Sequence, residues 1–127
     1  MDRTTLDLAK SYINKKNYKI LDVTESTIMF KYKLNEMFFT SSETDPNFFT
    51  LNLTVDPLDN AEQDLIMDRC YNITKDMKMV KMYWLKDAIM VSAELFYLDK
   101  KDFEFQFHNA LDYVLNAKRL YRVSYEG

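Results

Sequence analysis

Few side chains in this sequence are suited to chemistry, and their spacing is unhelpful to it. His108 is the only histidine in 127 residues. Phe105 and Phe107 flank it on one side and Leu111 on the other, with Glu104 four residues before and Asp112 four after. A general base needs a positioned proton donor or substrate, and often a carboxylate partner. On a helix this spacing describes ordinary i,i+4 surface pairing instead, so His108 reads as a half-exposed helix residue. Cys70 is the only cysteine and falls on an apolar helical stripe, where a free thiol behaves as a small hydrophobe. Arg69 or His108 could lower its pKa, but only Arg69 is near in sequence. Asp56, Asp59, Glu62 and Asp64 form an acidic stretch. A hard-cation loop needs spaced oxygens and usually a glycine at its sharp turn. These acids flank a helix N-terminus, where the helix dipole favours negative charge without a metal. Neither a metal nor a cofactor is expected.

Glycine occurs once, at Gly127. Phosphate loops and dinucleotide fingerprints need glycine where the backbone approaches phosphate, so both are excluded. No nucleophile–base pair, metal cluster or phosphate loop remains, and the expectation is a non-enzymatic domain.

The bulk composition fits a globular fold. Apolar residues make up 47% and aromatics 15%, more aromatics than a disordered chain carries. At 127 residues the chain fits one domain, spanning 1–127, with a substantial core. Seventeen basic and twenty acidic residues give a net charge of -3, well mixed between the two halves. That balance argues against nonspecific nucleic-acid binding. Short basic pairs such as Lys15-Lys16 are too small for a membrane anchor. No apolar run reaches a membrane span, no signal region follows Met1, and the unpaired Cys70 suits a reducing compartment, so a cytoplasmic protein is expected.

Periodicity places the elements. Leu6, Ala9, Tyr12 and Ile13 predict a first helix that ends near Asn17, a residue tolerant of the left-handed terminal position. From Tyr18 the period becomes two, with a short strand possible over 18–23. The main strands are predicted over 26–34, 37–41 and 48–55, with a tight turn at Asn35-Glu36. Asn60 then opens a second helix, with Gln63 as its capping-box partner. Its stripe is Leu58, Ala61, Leu65, Ile66, Cys70 and Ile73, with Met77 just beyond. Residues 78–85 and 88–98 read as a hairpin around Lys86-Asp87. Asp99 caps a last helix with stripe Phe103, Phe107, Ala110, Leu111, Val114, Ala117 and Tyr121, followed by a tail from Val123. The fold class is α+β: helix, three-stranded antiparallel meander, helix, β-hairpin, helix.

Both faces of the 78–98 hairpin are largely apolar, so each should be covered by helices or by another subunit. The expected contact residues are Met79, Tyr83, Trp84, Met90 and Phe96, with the second helix as a dimer element. Aromatic and methionine side chains are enriched at such interfaces.

The element order and several strings resemble the type III secretion chaperone-like fold. The similarity is greatest to the YbjN-like proteins, a bacterial group provisionally described as sensory-transduction regulators. The strings are Ile28-Met29-Phe30-Lys31-Tyr32, Asp45-Pro46 before Phe48-Phe49-Thr50-Leu51, Asn72-Ile73-Thr74, Lys78-Met79-Val80-Lys81 and Val91-Ser92-Ala93-Glu94. They span about residues 4–121 and are structural, not catalytic. At Lys33-Leu34-Asn35-Glu36 the chain departs from its relatives, which tend to carry a glycine there. The resemblance implies an α+β domain, often dimeric, that binds other proteins or has no assigned function. The functional expectation is a chaperone-like or regulatory protein-binding homodimer. The alternative is a sensor holding a small apolar ligand between sheet and helices.

Overall fold

The computed structural model describes residues 3–57, 62–77, 79–85 and 87–126, with Arg3 and 124–126 described in backbone only. Helix α1 (Arg3–Lys15) leads into strands β1 (Ile20–Val23), β2 (Thr27–Tyr32), β3 (Asn35–Ser41) and β4 (Phe48–Val55). Helix α2 (Gln63–Asp76), strands β5 (Val80–Leu85) and β6 (Ala88–Phe96), and helix α3 (Lys100–Glu126) follow. The strands form one antiparallel sheet in the order β1-β2-β3-β4-β6-β5. The fold is α+β, as expected. The first meander has four strands rather than three, because the short 18–23 segment pairs with β2 through a bulge between Ile20 and Asp22.

Helices α1 and α3 cover one face of the sheet. Every residue of the expected α3 stripe is buried, as are Leu6, Ala9, Tyr12 and Ile13 of α1. The core centres on Phe107, whose ring has those of Tyr12, Phe30, Phe39, Phe49 and Phe103 at centroid distances of 4.9–6.0 Å. A buried hydrogen bond of 2.7 Å joins Thr5 Oγ1 to the Tyr97 hydroxyl, tying the first helix to the end of β6.

The helix ends show why the chain turns where it does. Asn17 sits at φ 60°, and the Tyr18 and Asn17 amides donate to the Ile13 and Asn14 carbonyls. This is a Schellman motif built on asparagine in a chain almost without glycine. Asp99 Oδ1 accepts from the Asp102 amide, and Asp102 Oδ2 accepts from the Leu98 amide. That reciprocal pair starts α3, which then runs to Glu126, so the expected tail from Val123 is helical.

Two expected boundaries move. The β2–β3 turn is Lys33-Leu34, at φ 47° and 66°, with Tyr32 opposite Asn35. It was expected at Asn35-Glu36, which instead begins β3. Burial sets this register: it places Phe30 opposite Met37, both fully buried, and a one-residue slip would turn the strand inside out. Helix α2 starts at Gln63 after Glu62, which makes no side-chain cap. Leu58, Asp59, Asn60 and Ala61 lie outside the described residues, as do Lys78 and Lys86.

Candidate protein-contact surface at the β5 edge

Helix α2 does not lie over the sheet face but alongside β5, at the sheet's edge. Ile66, Cys70 and Ile73 point into the core, while the expected stripe residue Leu65 is exposed. Thr74 fixes the helix to the strand: its hydroxyl accepts from the Met82 amide at 2.8 Å and donates to the Met82 carbonyl at 3.1 Å. An edge strand presents unpaired backbone groups that invite another chain, and one threonine occupies both such groups of Met82. Trp84, two residues on, has its backbone groups on the same outward side, because Leu85 pairs with Ala88 around a two-residue loop.

Past Thr74 a groove opens between α2 and β5. Its volume is about 560 Å³, and Met67, Cys70, Tyr71, Tyr83 and Trp84 supply most of its wall. Met67 and Tyr71 lie one helical turn apart on the solvent side of the buried stripe and are 52% and 66% exposed. Their i,i+4 spacing is the sequence signal for this groove: large apolar residues off the core stripe. The indole Nε1 of Trp84 is buried with no hydrogen-bond partner among the described residues. Burial pushes the Cys70 thiol up to about 11, which opposes thiolate chemistry at neutral pH.

The sheet face opposite α1 and α3 carries no described helix. Its register forms rows. One runs Met29–Phe38–Asn52–Ser92–Lys81, with a Ser92–Asn52 side-chain hydrogen bond inside it. To one side lie Thr54, Met90 and Tyr83; at the other end Phe48 sits opposite Phe96. A Lys81–Glu94 ion pair of 3.4 Å separates the two apolar corners.

The five expected contact residues therefore occupy four places. Tyr83 and Met90 pair across β5–β6 at one corner. Phe96, 53% exposed, joins Phe48 at the other. Met79, at φ 68°, shares a depression with Phe48, Lys81 and Glu94. Trp84 points to the opposite side, with Val80 and Met82, and packs partly against the core. Tyr83 borders both sheet face and groove, so an apolar band runs from Met90 around the β5 edge to Tyr71.

The other singled-out residues stay apart. His108 is exposed and lies 3.4 Å from Asp112, its i,i+4 neighbour. Asp56, Glu62 and Asp64 are all exposed, and Asp59 is outside the described residues. Among the described residues no three histidine, cysteine or carboxylate side chains come together as metal ligands. No described helix is long and apolar enough to cross a membrane.

No protein-family model matches the chain. No curated protein matches it by sequence either. Solved structures do match in fold. The crystal structure of YbjN from E. coli, a protein proposed to regulate transcription, superposes with a TM-score of 0.68 at 9% identity, covering 95% of this chain and 92% of that one. An uncharacterized protein from Methanothermobacter thermautotrophicus gives 0.64 at 8% identity, covering 94% and 98%. The chain has a YbjN-like fold.

Proposed function

We propose that this YbjN-like chain is a single non-enzymatic, protein-binding domain of the cytoplasm, regulatory or chaperone-like, that works as a homodimer. The observation that carries the reading is the apolar band around β5: Met90 and Tyr83 on the uncovered sheet face, then Trp84, Met67 and Tyr71 in the groove. Contiguous exposed apolar surface of this kind marks interaction sites. The work is divided between two surfaces. The uncovered face of β5–β6, with Met79, Met90 and Phe96, stacks two copies sheet to sheet. The groove and the outward edge of Trp84 receive the partner, whose extended backbone can add to that edge.

Sedimentation equilibrium tests the dimer. The expected mass is twice the chain's 15.2 kDa at micromolar concentration. Replacing Phe96 by lysine on the exposed face should shift the association constant at least tenfold toward monomer, with folding unchanged. A monomer at every concentration would refute the stacked dimer.

A further inference from the structure

Charges that are mixed along the sequence are not mixed in space. Where the β2–β3 turn meets the second half of α3, a depression of about 480 Å³ opens, with Lys33 on the turn side and Asn116 and Arg119 on the helix side. Tyr113 and Leu115 supply its apolar lining. Asp112 is the one carboxylate on its wall, and it lies 3.4 Å from His108. Side-chain amides hold the two walls in place. Lys118 Nζ donates to Asn35 Oδ1 at 2.5 Å, joining α3 to the start of β3, and Asn35 Nδ2 donates to the Lys33 carbonyl at 2.8 Å. Arg119 Nη2 donates to Asn116 Oδ1 at 2.7 Å. Neutral amides leave the charges of Lys118 and Arg119 whole. Arg122 follows one turn on and is exposed. Among the described residues none of Lys33, Lys118, Arg119 and Arg122 takes part in an ion pair. The helix dipole favours cations near the end of α3, but it does not account for Lys33, which reaches the same depression from another element. Next to Lys33 stands Leu34, at 98% the most exposed large apolar side chain among the described residues. Both residues hold left-handed backbone that disfavours a side chain with a Cβ. Backbone strain held by its surroundings recurs at binding sites, and here Asn35 holds it.

We infer that the β2–β3 turn and the facing side of α3 form a second contact surface, for a segment of a partner protein in which aspartate or glutamate alternates with bulky apolar residues. A carboxylate enters the depression between Lys33 and Arg119, and a neighbouring apolar side chain covers Leu34. The concavity suits a side chain that can enter it, which a flat lipid surface does not offer. This inference rests on the protein-binding reading and adds the sign of a partner's charge, but it uses neither the α2–β5 groove nor the uncovered sheet face. The cations speed encounter and select an acidic segment, while the contact over Leu34 lengthens its stay.

At 15.2 kDa the isotope-labelled chain suits amide NMR, so one titration measures binding and locates it. The probes are three decapeptides in which leucine alternates with glutamate, with lysine or with serine. The glutamate peptide should shift the amides of Lys33, Leu34, Asn116 and Arg119 saturably. The other two should bind there at least tenfold more weakly, and raising salt should weaken the glutamate peptide. The pair Lys33→Glu and Arg119→Glu should weaken the glutamate peptide at least tenfold and strengthen the lysine one. Leu34→Gly should weaken the glutamate peptide several-fold while raising the melting temperature, which separates a lost contact from a lost fold. Equal binding of all three peptides at the turn would overturn the inference. Saturable shifts confined to Met67, Tyr71 and Trp84 would overturn it and leave the protein-binding reading standing. Phosphatidylserine vesicles that retain the native chain but not the Lys33→Glu, Arg119→Glu pair, with no saturable response to the glutamate peptide, would overturn it by placing an anionic lipid surface at the turn. No saturable shift with any peptide would overturn it too, and a monomer at every concentration would then remove the homodimer as well.

Discussion

Leu34 and Met79 hold left-handed backbone, at φ 66° and 68°, without being glycine. A side chain with a Cβ costs about 1–2 kcal/mol there, and Leu34 is 98% exposed, so little packing offsets it. Leu34→Gly should therefore stabilise the chain by about 1 kcal/mol, roughly 4 °C in a melting experiment. Met79→Gly should relieve the same strain while loosening the dimer, because it removes a side chain from the proposed face. Two side chains also tie stability to pH. Burial raises the Cys70 thiol from 9.0 to about 11. Burial, then the neighbouring Tyr18 and Glu104, raise the Tyr12 hydroxyl from 10.0 to about 12. Both groups hold their protons more tightly in the folded chain. Stability is thus intact below pH 9 and falls as pH rises toward 12, where the unfolded chain releases its protons first. Alkaline titration of Tyr12→Phe should show a shallower fall between pH 10 and 12. Iodoacetamide at pH 8 should label Cys70 far faster in denaturant than in buffer.

Thr74 shows what one element does for another. Thr74→Val keeps the shape but leaves both backbone groups of Met82 without their partner, and chemical denaturation should show a loss of about 2 kcal/mol. In the core, Phe107→Ala should cost about 4 kcal/mol, since five rings surround the cavity it would leave. The α3 stripe was legible in full because seven residues at helical spacing admit one buried face. Strict alternation likewise placed Trp84 and Tyr83 on opposite faces before any coordinate. The β2–β3 turn was not legible: it lacks the Asn-Gly signal of two positive φ angles, and tertiary burial of Phe30 and Met37 overrides local preference. Nor was the groove. The α2 stripe says which residues are buried, but not that they are buried beside an edge strand, and only that placement turns Met67 and Tyr71 into a wall.

Across the whole molecule, sequence alternation gives β5–β6 two apolar faces, and α3 covers only one of them. The uncovered side and the adjoining groove leave Met67, Tyr71, Tyr83 and Phe96 in reach of solvent. That asymmetry underlies the protein-binding reading, and side-chain footprinting with hydroxyl radicals tests it most directly. The chain is labelled in three states: dilute and pure, concentrated and pure, and dilute in native cell extract. In the dilute pure state these four side chains and Met79 should be oxidised, while the buried Met37 and Met82 are spared. Concentration should then protect Phe96 and Met79, and the extract should protect Met67 and Tyr71 as well. Labelling of all five that stays the same in all three states would contradict the account.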